Sequence, residues 1–350
     1  MITSRIYGHL PDGRAVHEYT LTQGSGLALT AITYGGIVTA LQVPDAQGVT
    51  ANVVLGFDNL TDYIERNPHF GTIVGRYANR IAGGSFTLDG QVHQLSRNDG
   101  PNCLHGGTWG FGRQLWAAEI DGDALLLRYR SADGEEGFAG RLDVSVRYSL
   151  GDDQSWRIDY EGRCDRPSLV NLSHHDYFNL AGSGTVLSHR LSLAASRYTE
   201  VDAQLIPTAV AGVAGTPFDF RHPTAIDARL FEPHPQLQHG QGYDHNWLLD
   251  HPFDGQLHPA ARLEDPLSGR VMTISSTEPS IQFYSGNFLD GSLRGSGGAF
   301  YMQGDGLCLE TQHNPDSPNH PEWPSTLLRP GEVYRSSTVH CFTASLFLAR

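Results

Sequence analysis

Arg141-Leu142-Asp143-Val144-Ser145-Val146-Arg147-Tyr148 alternates polar and apolar residues without a break, and that period of two sets the fold class. Successive side chains of a strand point to opposite faces. Leu142, Val144, Val146 and Tyr148 therefore share one side, and the charged and hydroxyl groups share the other. Working outward, the same alternation recurs in Ala124 to Arg130, Ser155 to Tyr160, Arg190 to Leu193 and Arg270 to Ile274. Turn dipeptides punctuate these runs at Asp12-Gly13, Asp89-Gly90, Asp121-Gly122, Asp133-Gly134 and Ser268-Gly269. Helical spacing is scarce: about a turn near Leu60–Glu65, capped by Asn59 or Thr61, and another near Asp227–Phe231. The stretch Glu232 to Gly242, with Pro233 and Pro235, reads as a long surface excursion before strand-like sequence resumes at Trp247. There is no linker, internal repeat or low-complexity run. The expectation is an all-β protein, one domain over residues 1–350 built as a large antiparallel β-sandwich.

Composition narrows the chemistry. Lysine and arginine together number 24 against 38 acidic residues, a formal charge of −14. A protein that displaces counterions from a phosphate backbone needs a basic stripe, so nucleic acid and anionic membrane surfaces are disfavoured as partners. All the cations are arginine or histidine; lysine does not occur. That excludes a Schiff-base lysine, an internal pyridoxal aldimine and a phosphate-loop lysine. Cys103, Cys164, Cys308 and Cys341 form no CxxC pair, which argues against a disulfide framework or a zinc ribbon. Met1 to Gly13 has no apolar run of the signal-peptide kind, and no stretch approaches the ~20 apolar residues of a membrane span, so a cytoplasmic protein is expected.

Five segments carry polar residues that a plain sandwich does not need: Gly75 to Ile81, Asn102 to Gly107, Asn171 to Leu180, Gly242 to Trp247, and Gln282-Phe283-Tyr284 with Gly306 to Gln312. In Leu307-Cys308-Leu309-Glu310 the leucines share one face, and Glu310 shares the other with Cys308 and Gln312. Taken alone, that second face is either the wet side of an antiparallel strand or the wall of a site. His175 is either a satisfied structural histidine or a functional one. Its neighbours His174 and Asp176 invite a metal reading, but adjacent strand residues point to opposite faces, so no metal centre is expected there. Arg80 is a surface ion-pair residue or a ligand clamp; Asp244 brackets a turn or faces a ligand.

These segments resemble the aldose 1-epimerase (galactose mutarotase) family along nearly the whole chain. Gly75 to Ile81 matches the family's G-R-x-A-N-R-I, Leu104 to Gly107 its L-H-G-G, and Asn171 to Leu180 its N-L-x-x-H-x-Y-F-N-L. Gly215 to Arg221 matches G-T-P-x-D-F-R, Gly242 to Asn246 G-Y-D-H-N, and Gln282 to Gly291 Q-F-Y-x-G-N-F-L-D-G. Leu309 to Gln312 matches L-E-T-Q and Leu328 to Tyr334 L-R-P-G-E-x-Y. The resemblance implies a galactose mutarotase-like supersandwich, an isomerase of free aldoses, and no cofactor or metal. It implies Glu310 as general base and His175 as general acid. Asn79, Arg80, His105, Asp244 and Gln282 would hold the sugar hydroxyls, while Arg76 and His245 would be structural. His174 and Asp176 depart from the family's usual Asn and Ser, which puts substrate preference in question more than reaction type. The partner is a monosaccharide, and the chain's size suits a monomer or a homodimer.

The chemistry fits this set. Changing the anomer of a cyclic aldose requires a base at the C1 hydroxyl and an acid at the ring oxygen, with no redox step and no carbanion. A carboxylate and an imidazole suffice. Two rival readings remain at this level. One is a carbohydrate-binding module on the same sandwich; the other is a relative acting on hexose 6-phosphates, which would call for an arginine cluster.

Overall fold

Leu142–Leu150 alternates strictly between buried and half-buried residues, and its buried side chains face the interior of a nine-stranded antiparallel sheet. The computed structural model describes residues 1–24 and 26–344. In that sheet Ala117–Asp121, Ala124–Ser131, Leu142–Leu150 and Ser155–Cys164 run as a meander. Tyr334–Ala344 inserts next to Ser155–Cys164, and Arg270–Ser276, His258–Glu264, Arg190–Leu193 and Thr224–Ala225 complete the order. A five-stranded meander is formed by Ile2–His9, Ala15–Thr22, Ala28–Ile32, Val38–Pro44 and Thr50–Asn52. A second five-stranded sheet runs in the order Pro207–Gly212, Arg197–Val201, Asp244–Leu248, Ser280–Tyr284, Cys308–Gln312. One hydrophobic cluster draws on all three: Leu29 and Leu41 from the first meander, Val146, Ile158, Ile274 and Phe342 from the large sheet, Trp247, Phe283 and Leu309 from the last. This is the all-β sandwich that the alternation predicted.

Local signals hold where side-chain chemistry dictates geometry. Asp89 and Gly90 both take positive φ and join Ser85–Leu88 to Gln91–Gln94 as a two-residue hairpin. The helix Leu60–Glu65 starts where Asn59 accepts a hydrogen bond from the Asp62 amide at 3.0 Å. The excursion from Glu232 to Gly242 differs from the expectation: it contains the helix Pro235–Gly240, docked by its own polar residue. The Gln236 amide accepts from the Val201 N–H at 2.7 Å and donates to the Val201 carbonyl at 2.9 Å, and Gln236 and Leu237 are buried. A glutamine that satisfies a strand's free backbone groups looks, in sequence, like a solvated loop residue.

Two short ladders bring the remaining polar segments together. Ser173–His175 pairs with Thr72–Val74, and Ser173 donates to the Thr311 carbonyl at 2.9 Å, tying it to the Cys308–Gln312 strand. Arg80–Ile81 pairs with Cys103–Leu104. The four cysteines are free. No helix among the described residues is long and apolar enough to cross a membrane.

Several histidines are buried where desolvation outweighs any nearby carboxylate. Desolvation lowers His189 and His340 to about 4 and His245 to about 3 from an ordinary 6.5. Below pH 6.5 the unfolded chain therefore binds protons that the native chain refuses, so stability is lost as pH falls from about 6.5 towards about 3. Thermal melts should show a Tm that declines by several degrees between pH 7 and pH 4.5. A flat Tm over that interval would contradict the burial of these rings as neutral species.

Candidate active site

The strand Cys308–Gln312 is buried on both faces, which removes the wet-face alternative for Glu310. Glu310 stands opposite Gln282 in the ladder, and Gln282 stands opposite Asn246 on the next strand. Glu310 is 2% exposed, and its Oε1 lies 3.8 Å from His175 Nε2; Oε2 has no hydrogen-bond partner among the described residues. Burial raises the Glu310 pKa well above its ordinary value, Asp244 adds to this, and the Arg80 guanidinium opposes it. Burial lowers His175 well below the ordinary histidine value, reinforced by the neighbouring His69. Cys308, two residues before Glu310 on the same face, brings its thiol to 3.5 Å from His175 Nδ1. The site therefore holds a carboxyl and an imidazole, each driven towards its uncharged form.

A second wall comes from two residues with left-handed backbones, Asn79 (φ 65°) and His105 (φ 52°). The His105 N–H donates to the Asn79 carbonyl at 3.1 Å, and the Asn79 N–H donates back to His105 Nδ1 at 3.2 Å. That second bond fixes the tautomer. With Nδ1 accepting, the neutral ring carries its proton on Nε2 and presents a fixed donor. Arg80, 8% exposed, gives its Nε to Asp99 Oδ2 at 2.8 Å, so the ion pair is real, and its guanidinium also lines the cavity.

These groups surround a cavity of about 190 Å³ lined by Asn79, Arg80, His105, His175, Asp244 and Glu310. It lies below the ~300–1,000 Å³ of sites for larger ligands and suits a single sugar ring. Six of the seven site residues named from sequence thus meet at one cavity. The seventh, Gln282, does not line it. Gln282 is buried behind the wall and donates from Nε2 to Asp244 Oδ1 at 2.7 Å, holding that carboxylate in place.

His174 and Asp176 also lie elsewhere. Strand alternation turns them to the other side of His175, where His174 Nδ1 meets Asp176 Oδ2 at 2.7 Å and His174 Nε2 meets the Tyr148 hydroxyl at 2.8 Å. Neither lines this cavity, so neither would touch a ligand seated in it. Arg76 is buried and bonded to the Ala139 carbonyl and Ser168, and His245 is buried against Gln236.

Ligand-capable atoms of His105, His175 and Glu310 lie within 4.8 Å of one another, a spacing a metal ion could span. The His105 tautomer does not suit that use. Its Nδ1 lone pair is engaged by the Asn79 amide and its Nε2 carries the proton, leaving two competent donors rather than three.

Sequence reasoning missed the rest of the wall: Pro68 and His69, with Leu104, Tyr177, Tyr284 and Phe288 from segments or motifs it did single out. Phe288 is half-exposed at the rim and stacks near Tyr284, an apolar surface for the C–H face of a ring. Asn67-Pro68-His69 carries no signature that distinguishes it from an ordinary loop.

A family model described as aldose 1-epimerase matches residues 17–341. A galactose mutarotase of Sus scrofa is 42% identical over 347 residues, covering 98% of this chain and 99% of that protein. An aldose 1-epimerase of Escherichia coli (strain K12) is 38% identical over 339 residues, 95% of this chain and 97% of that protein. Among solved structures, galactose 1-epimerase from Lactobacillus acidophilus NCFM superposes with a TM-score of 0.86 at 26% identity, covering 98% of this chain and 99% of that one.

The raised Glu310 pKa has a direct spectroscopic consequence. In the ligand-free protein at pH 5.5, about one unit above the ordinary glutamate value, the infrared difference between wild type and Glu310→Gln should contain a protonated-carboxyl C=O band. A carboxylate band alone at that pH would mean that the side chain is not desolvated as described.

Proposed function

The chain belongs to the aldose 1-epimerase family, an isomerase family, and from that premise we propose that it interconverts the α and β anomers of a free aldose by opening and reclosing the ring. Glu310 acts as general base at the C1 hydroxyl and His175 as general acid at the ring oxygen. The observation that carries this reading is a buried carboxyl and a buried imidazole side by side, 3.8 Å apart, on the wall of a polar cavity of one-ring size.

The pair needs one proton between its two members. In the empty cavity burial favours that proton on Glu310, with His175 neutral. A bound sugar brings hydroxyl dipoles into the cavity and Arg80 already favours the glutamate anion, so the proton moves to His175 and the reactive arrangement forms. The carboxylate then takes the O1 proton, the imidazolium protonates O5, and the C1–O5 bond breaks to the open aldehyde. Rotation about C1–C2 exposes the other carbonyl face. On reclosure O5 attacks C1, Glu310 returns a proton to O1, and His175 recovers the one from O5, so the enzyme ends with the proton count it began with.

His105 offers its Nε2–H, Arg80 its guanidinium, and Asn79 its amide to ring substituents, while Asp244, fixed by Gln282, accepts from hydroxyls remote from C1. Arg80 is the one formally cationic residue on the cavity wall, and Asp99, Asp244 and Glu310 surround it. That balance supports an uncharged sugar over a hexose phosphate. We further infer that residues 1–350 form one domain, which the core cluster running from Leu21 to Phe342 supports, and that the protein works in the cytoplasm on a soluble monosaccharide without a cofactor.

Following optical rotation of freshly dissolved α-D-glucose and α-D-galactose tests the reading. Wild type should speed the decay. Glu310→Gln and His175→Asn should each slow turnover by about a hundredfold or more with melting temperature retained, since each removes a proton-transfer partner. Near-wild-type rates in either purified variant would reject the assignment. The acid limb of kcat/KM should fall below pH 6.5: it marks a second proton entering the pair, and burial makes that proton harder to add than to an ordinary histidine. A limb above pH 6.5 would contradict it.

A further inference from the structure

One cavity ring has no part in the reaction just described. His69 lines the cavity, with its ring centroid 4.7 Å from that of His105 and 5.5 Å from that of His175. Its backbone sits at φ 75°, in the left-handed region that a histidine adopts only where the surroundings impose it. The surroundings here do so in detail. Asn67 accepts from the Phe70 amide at 2.7 Å, the Thr72 amide and hydroxyl donate to the His69 carbonyl at 3.2 and 3.1 Å, and the Tyr177 hydroxyl donates to the Pro68 carbonyl at 3.1 Å. Gly71 donates to the carbonyl of His175 itself at 3.0 Å. The loop is thus bolted to the strand that carries the proposed acid, and its bend aims the imidazole into the cavity.

Neither nitrogen of that ring makes a hydrogen bond to any described residue, although the ring is held on its flanks by two other imidazoles. The half-buried ring thus keeps both nitrogens free to meet a molecule in the cavity. We propose that His69 is a substrate-contacting residue that reads one hydroxyl of the bound sugar and so sets which aldoses the site prefers. This rests on the ring-opening reading above and adds to it a determinant of sugar choice. The chemistry matches: burial holds the ring neutral, its pKa lowered to about 4, so one nitrogen donates and the other accepts. A hydroxyl does both as well, and a deoxy position does neither. An unpaired polar group facing the analogue that lacks its partner is the usual source of such discrimination.

His69→Phe keeps a ring packed against His105 and removes both nitrogens; His69→Asn keeps an amide and tolerates the left-handed backbone. Each is assayed against wild type on galactose, glucose and their 2-deoxy and 6-deoxy counterparts. For sugars that carry the hydroxyl in question, His69→Phe should raise KM by about 3- to 10-fold, the scale of one neutral hydrogen bond, with kcat within about twofold. One deoxy sugar should show the same KM in wild type and variant, because it has nothing for His69 to hold. His69→Asn should fall between the two, and it supplies the same comparison if His69→Phe does not fold. An unchanged KM for every sugar, or a rise of equal size for all of them, would overturn the proposal. A wild-type protein inactive on every aldose would instead overturn the ring-opening reading, and the role of His69 with it.

Discussion

Glu310 and His175 are separated by 3.8 Å and almost cut off from water, and the cost of keeping a charge in that place governs the site. In bulk solvent a glutamate beside a histidine at neutral pH would be an anion next to a partly charged ring. Here desolvation pushes both groups towards their uncharged forms. Such a pair is poised rather than inert. In the ring opening proposed above, a single proton shared by the pair is what the reaction uses, and local polarity bears on which partner carries it.

Keeping the pair dry demands close backbone packing, and this gives physical content to the glycines beside His105. A Cβ on Gly106 would stand 2.3 Å from the Gly75 carbonyl oxygen, and one on Gly110 would stand 2.5 Å from the His105 carbonyl oxygen. Any other residue would push the His105 loop off the Gly75–Arg80 segment and break the reciprocal bonds between Asn79 and His105. Two non-glycine residues in left-handed conformation, locked to each other, then hold their side chains towards the cavity at an angle that regular strands would not give.

What could be read from the sequence follows from how local each signal is. Period-two alternation in Leu142–Leu150 and the capping amide of Asn59 act within a few residues, so the sandwich and the helix Leu60–Glu65 were legible. Glu310 and His175 were separable from ordinary strand residues only through the resemblance of their segments to a known family. Alternation alone put Glu310 on a face without saying whether water or protein covered it. Gln282 was placed among the sugar ligands because its segment belongs to the set, but the register that sets it behind Asp244 depends on three strands at once. The helix Pro235–Gly240 was hidden because Gln236 finds its partners on Val201, far away in sequence. His69 gave no signal at all: its direction comes from bonds to Thr72, Tyr177 and His175, and none of those is visible in Asn67-Pro68-His69.

The two residues that depart from the family pattern show how a group can act on a site without entering it. Tyr148 donates to the Gly36 carbonyl at 2.7 Å, so its oxygen must accept from His174 Nε2–H. On the other side of that ring His174 Nδ1 meets Asp176 Oδ2 at 2.7 Å, so the two form one hydrogen-bonded unit. Both residues are felt across the strand. Asp176 favours the protonated form of Glu310, and His174 disfavours a proton on His175. Each influence is smaller than desolvation, yet both point the same way, towards the neutral arrangement of the reactive pair. Side chains turned away from the cavity therefore bear on the proton affinity of the pair that lines it, and they do so because the interior between them screens so little.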